Sequence, residues 1–138
     1  MKYPIVAFLD RDKNIYSFDK KDSEICSIDL IEKFNNAVFY DSDLNKHLIS
    51  NAEKISWAYF YGYHPLLKGR SVKIRFKIDR SEKVSLKDVK NALILKLENG
   101  VEPGFWYSKK DIPKLTENVH NAHDFNSLVK IFSEDIQE

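Results

Sequence analysis

Alternation of apolar and polar positions is clearest between Ile55 and Arg80. In Val72-Lys-Ile-Arg-Phe-Lys-Ile-Asp-Arg80, Val72, Ile74, Phe76 and Ile78 share one face of an extended chain, and Lys73, Arg75, Lys77 and Asp79 share the other. In Ile55-Ser-Trp-Ala-Tyr-Phe-Tyr-Gly-Tyr63, the same rule puts Trp57, Tyr59, Tyr61 and Tyr63 on one side and Ala58, Phe60 and Gly62 on the other. A period of two in β-branched and aromatic residues predicts strands. The Pro and Gly of His64–Arg70 suit a hairpin with a longer loop. Two central antiparallel strands are therefore expected, the second with one apolar and one basic face.

The rest of the chain assembles around that pair. Tyr3–Leu9 and Ile15–Phe18, separated by the turn chemistry of Asp10–Asn14, predict an amino-terminal hairpin. Ser27 ahead of Ile28, Ile31 and Phe34 predicts a short helix ending at Asn35-Asn36, and Ala37–Tyr40 a brief strand. Leu44, Leu48, Ala52 and Ile55 repeat every three or four residues, so a helix is expected over Asp43–Lys54. Ser85-Leu-Lys-Asp88 spells a capping box with Asp in place of Glu. The stripe Leu86, Val89, Leu93, Leu97 follows it and Asn99-Gly100 ends it. Phe105-Trp106-Tyr107 after Pro103-Gly104 suggests a turn and a short edge strand. Asp111 and Asp124 can cap two last helices, one carrying Pro113, Leu115 and Val119, the other Phe125, Leu128, Val129 and Phe132. The pattern defines a single α+β domain over residues 1–138, a mostly antiparallel sheet with helices packed on one face.

Composition narrows the function classes. Hydrophobic residues make up 43% and charged residues 31% of 138, which fits a folded core rather than a disordered or fibrous chain. The 22 basic and 21 acidic residues nearly cancel, which argues against holding nucleic acid by bulk charge. One cysteine, Cys26, permits no internal disulfide and favours a reducing compartment. No apolar run approaches the roughly 20 residues of a membrane span, and the amino-terminal one is too short for a secretion signal. A cytoplasmic protein is expected.

Candidate chemistry is sparse. The glycines Gly62, Gly69, Gly100 and Gly104 are scattered, and no phosphate-binding loop is spelled. His120 and His123 stand three apart beside Asp124, a spacing compatible with a metal, but the segment also reads as an interhelix turn with a cap. Cys26 near a helix start has a thiolate reading and a simpler one as a buried small hydrophobe. No Ser-His-Asp or paired-carboxylate site is readable, because no acid stands in an apolar setting. Neither enzyme nor cofactor is expected. Trp57, Tyr59 and Tyr61 are candidate stacking rings for single-stranded nucleic acid, with Lys73, Arg75 and Lys77 as phosphate contacts. Lys68-Gly69 opens like the sheet signature of the RNA-recognition motif, but Arg70 and Val72 occupy the positions of its rings. Tyrosine, tryptophan and arginine are equally the residues of protein-binding hot spots.

Three segments, Met1-Lys-Tyr-Pro-Ile-Val-Ala-Phe8, Trp57-Ala-Tyr-Phe-Tyr-Gly-Tyr63 and Gly104-Phe-Trp-Tyr-Ser-Lys-Lys-Asp111, give the chain a resemblance to the immunity proteins of bacterial toxin systems. The closest comparison is the antidotes of contact-dependent growth inhibition. The resemblance implies a binding protein that shields a cognate, nuclease-like toxin. Such a toxin often has a positively charged cleft, so the expected docking residues are Asp10, Asp12, Asp19, Asp22 and Asp41, with Tyr40 and Trp106 as aromatic anchors. Asp43 is assigned to helix capping.

Overall fold

The computed structural model describes residues 1–18, 25–57 and 71–133. Tyr59, Tyr61 and Tyr63, the loop His64–Arg70, Asp19, Asp22 and the acidic carboxy terminus lie outside the described residues. The chain runs β1 (Ile5–Phe8), β2 (Tyr16–Phe18), β3 (Ile25–Ser27), a 3-10 helix (Ile28–Phe34), β4 (Val38–Asp41), β5 (Asn45–Trp57), β6 (Ser71–Lys83), α1 (Leu86–Glu98), a 3-10 turn (Lys109–Asp111), α2 (Ile112–Asn121) and α3 (Phe125–Ile131). Among the described residues, six strands form one sheet in the order β2-β1-β4-β5-β6-β3, every pair antiparallel. The α+β architecture read from the pattern is the one the chain adopts.

Alternation explains the layers. On β1, Val6 points toward the α-helices while Ile5 and Ala7 point away; on β4, Tyr40 takes the helical side and Phe39 the other. Val89, Leu93 and Leu97 of α1, Leu115 and Val119 of α2, and Phe125, Leu128 and Val129 of α3 close over the first face, so all three α-helices share one core. The second face is closed by Phe34 of the 3-10 helix, packed with Ile5, Phe39, Ile49, Val72 and Ile74. The sheet is thus buried on both sides at β1 and β4, while Lys73, Arg75 and Lys77 of β6 stay exposed.

The ends of α1 follow the sequence. Ser85 Oγ accepts from the Asp88 N–H and Asp88 accepts from the Ser85 N–H, both at 3.1 Å, which completes the capping box. Gly100 takes φ +96° after Asn99, the left-handed stop that glycine adopts without a Cβ penalty. Asp124 caps α3 by accepting from the Ser127 N–H at 2.8 Å. Asp111 precedes α2, but its carboxylate reaches back to the Ser108 N–H at 2.7 Å and makes no side-chain cap on α2.

Two of the expected elements are not formed. Asp43–Lys54 is not a helix; it is the β4–β5 turn and most of the 13-residue β5. Phe105-Trp106-Tyr107 forms no strand. It is a bent segment whose rings pack on one another, Trp106 against Tyr107 at 4.8 Å and Phe105 against Tyr107 at 5.2 Å. The central hairpin is present, but it starts ten residues earlier than the alternation suggested, with Asn45 opposite Lys83 and Trp57 opposite Val72.

Candidate functional site

Three neighbouring strands build a hydrogen-bonded chain of side chains. Asp41 ends β4, His47 lies near the start of β5 and Ser81 stands opposite it on β6. His47 Nε2 is 2.7 Å from Asp41 Oδ2, and His47 Nδ1 is 2.6 Å from Ser81 Oγ. Asp41 is 1% exposed and His47 6%, whereas Ser81 is open to solvent.

The surroundings fix the direction of these bonds. Asp41 Oδ1 accepts from the N–H groups of Asp43 and Asn45, each at 3.0 Å, and Oδ2 accepts from the Lys2 N–H at 3.3 Å. Burial pushes the Asp41 pKa up, but the hydrogen bonds from His47, Asn45 and Lys2 and the attraction of His47 outweigh it, so the carboxyl titrates below its ordinary value. An ionised carboxylate only accepts, so His47 Nε2 carries a proton and donates to Asp41. In neutral His47 the bare nitrogen is then Nδ1, and Ser81 O–H donates to it.

Sheet register aims Ser81. Beyond Ile78, simple alternation would place Arg80 and Glu82 on the face of Ile74 and Phe76, with Ser81 on the opposite one. The pairing slips between Leu48–Arg80 and Ile49–Ile78, leaving Asp79 as an extra residue on β6. That bulge turns Ser81 onto the face of His47, a use of bulges often found beside functional sites. No signal in the sequence brings His47 and Ser81 together, because the pairing depends on a one-residue slip between strands that are distant in sequence. Asp41, an expected docking residue, is buried rather than projecting.

The other predicted residues scatter. Asp12 is 7% exposed: its Oδ1 accepts from the Asn14 N–H at 2.8 Å, its Oδ2 from Tyr16 O–H at 2.6 Å, and Lys33 approaches to 3.6 Å. It organises the β1–β2 turn and does not project. Burial first, and the bond to Asp12 next, push the Tyr16 hydroxyl up to about 12. Beside this turn lies a cleft of about 420 Å³ lined by Arg11, Asp12, Lys13, Lys96, Asn99 and Glu102. Burial lowers the Lys96 pKa there. Asp10 is exposed at the same end, 4.0 Å from Arg11. Tyr40 is buried under the helices, edge-on to Phe8 at 5.7 Å, and offers no surface anchor. Trp106 is half-buried against the helical core. Asp10, Tyr40, Asp41 and Trp106 do not form one patch.

The nucleic-acid set also separates. Trp57 faces Val72 and packs on the apolar side of the sheet, with Lys54 Nζ 3.4 Å from the centre of its ring. Lys73, Arg75 and Lys77 occupy the other side, where Ser56, Glu53 and Asn51 stand opposite them. Ring and basic row lie on opposite faces.

Cys26 sits half-buried in β3 against the second core, and burial pushes its thiol up to about 11. At neutral pH it is a thiol, not a thiolate. Maleimide labelling of the native protein at pH 7 is therefore expected to proceed at least tenfold more slowly than labelling of the urea-unfolded chain; equal rates would show an open, ionised Cys26. His120 lies in the last turn of α2 and His123 just beyond the helix, both exposed, with Asp124 engaged as the α3 cap.

No known protein family, curated protein or solved structure matches this chain. No helix among the described residues is long and apolar enough to cross a membrane.

Proposed function

We propose that this chain is a protein-binding antidote that neutralises a cognate bacterial toxin of the nuclease kind, as its resemblance to immunity proteins implies. The observation that carries this reading is the outer face of the β5–β6 ribbon. Both strands run 13 residues, more than twice the usual strand length, and much of their surface is left outside the core. Lys73, Arg75 and Lys77 form an exposed row with Glu53 opposite Arg75, and Ile55 beside them is 54% exposed. Charged groups around an exposed aliphatic residue suit a protein interface, in which charge steers the encounter and an apolar anchor holds it. The partner surface that complements this row is acidic, so docking falls beside the toxin's catalytic cleft rather than inside it. Of the expected acidic docking set, Asp10 is the one exposed member among the described residues, and it takes second place to the ribbon.

The nucleic-acid reading gains less support, because stacking and phosphate contacts need one shared face and Trp57 lies opposite the basic row. Co-expression with the toxin domain encoded beside this gene should give a complex and protect cells. Reversing Lys73, Arg75 and Lys77 to glutamate should slow association at least tenfold at low salt with little change in thermal stability. Failure to bind any neighbouring gene product removes the antidote reading. Unchanged association in the triple variant moves the docking surface to Asp10 and the β1–β2 turn.

A further inference from the structure

We propose that Ser81 is an activated nucleophile, with His47 as its general base and Asp41 as the positioning residue, able to take an acyl group from an activated ester. This proposal is independent of the antidote reading. Three observations carry it. The chain Asp41–His47–Ser81 is closed at 2.7 and 2.6 Å. Asp41 and His47 are buried while Ser81 is an exposed residue, so the serine is the member of the three open to solvent. The bulge at Asp79 is what turns Ser81 toward His47.

The hydrogen-bond directions suit the chemistry. Asp41 holds the imidazole with its proton on Nε2, which leaves Nδ1 to accept the hydroxyl proton. Relative to the familiar serine triads the two imidazole nitrogens exchange places, but either can act as base once the other is held by a carboxylate. In the first step Ser81 Oγ bonds to the acyl carbon, its proton passes to Nδ1, and the bond to the alkoxide leaving group breaks as that group takes the proton from Nδ1. In the second, a solvent water loses a proton to Nδ1 and bonds to the acyl carbon. The acid departs as the Ser81 oxygen recovers that proton.

A fluorophosphonate probe reads this directly, because its phosphorus bonds to an activated serine oxygen and releases fluoride. Peptide mapping after labelling of the whole protein should place the adduct on Ser81 and leave the exposed Ser85 and Ser108 of the same molecule unlabelled. Ser81→Ala should abolish it, and His47→Gln should slow it by about 100-fold or more. Asp41→Asn, which can keep the turn but would offer an amide N–H to Nε2, should slow it comparably. In the unmodified protein, nitrogen NMR of His47 should show the proton on Nε2, a readout that needs no variant to fold. Labelling of Ser81 no faster than of Ser85 and Ser108 overturns the proposal, as does a proton on Nδ1 of the neutral ring. A His47→Gln chain that folds and still labels at the parental rate overturns it too.

Discussion

Replacing Phe39 with alanine is expected to remove about 3–5 kcal/mol of stability, the usual range for deleting a fully buried ring. Phe39 is 0% exposed at the middle of β4. Its ring meets Phe76 at 4.8 Å, Phe34 at 6.3 Å and Phe18 at 6.4 Å, all edge-to-face, so one side chain joins β2, the 3-10 helix and β6. Phe34 and Phe76 also touch each other at 5.0 Å and cannot both collapse into the space without losing that contact. Against a total stability of about 5–15 kcal/mol, the loss brings the chain near its unfolding threshold. Urea denaturation of Phe39→Ala and Phe76→Ala compares the two, and Phe76, only partly buried, should cost less. A Phe39→Ala loss below about 1 kcal/mol would mean that the second core is not held by this ring.

The ring cluster also shows where the pattern was legible. Around Phe39 the neighbours alternate with period two, and β1, β2 and β4 form close to where alternation places them. The α-helices were readable for a local reason: Ser85 with Asp88, and Asp124 with Ser127, satisfy their helix starts within three residues. β5 was not readable. Its residues facing the second core or the buried end of that face are His47, Ile49, Ala52, Lys54 and Trp57, at spacings of two, three, two and three. Each three is a bulge, at Ser50 and at Ile55, and mixed spacings imitate helical periodicity. Leu44, Leu48, Ala52 and Ile55 looked like one helical face, yet Ile55 points into solvent and Leu44 packs on the helical core. The relay was hidden for the same reason, since a further bulge on β6 decides where Ser81 points. Asp12 and Asp41, expected in open turns, are buried, and each accepts backbone N–H bonds of its own turn, whereas Asp10 is exposed. That preference of aspartate for turns does not reveal burial.

Asp41 carries the second large expected effect. Its carboxylate accepts from three backbone N–H groups and from His47, and the turn it closes holds Leu44 at φ +61°, a left-handed conformation that a branched residue adopts at a cost of order 1–3 kcal/mol. Asp41→Ala leaves those donors without their acceptor around a buried side chain and leaves Leu44 in a strained conformation without its restraint. A loss of about 3 kcal/mol or more is expected, because hydrogen bonds to a charged acceptor are worth about 1.5–3 kcal/mol each and four are removed at once. Asp41→Asn retains an acceptor oxygen for the Asp43 and Asn45 N–H groups and should lose distinctly less. The pH dependence has a definite sign. Because the folded carboxyl titrates below its ordinary value of 3.8, Asp41 contributes its stabilisation fully above that pH and loses it as pH falls through the lower, folded value. Between pH 5 and pH 2 the wild-type midpoint in urea should therefore fall more steeply than that of Asp41→Asn, which has no carboxyl to protonate there. Parallel acid profiles for the two proteins would show that the β4–β5 turn does not depend on an ionised Asp41.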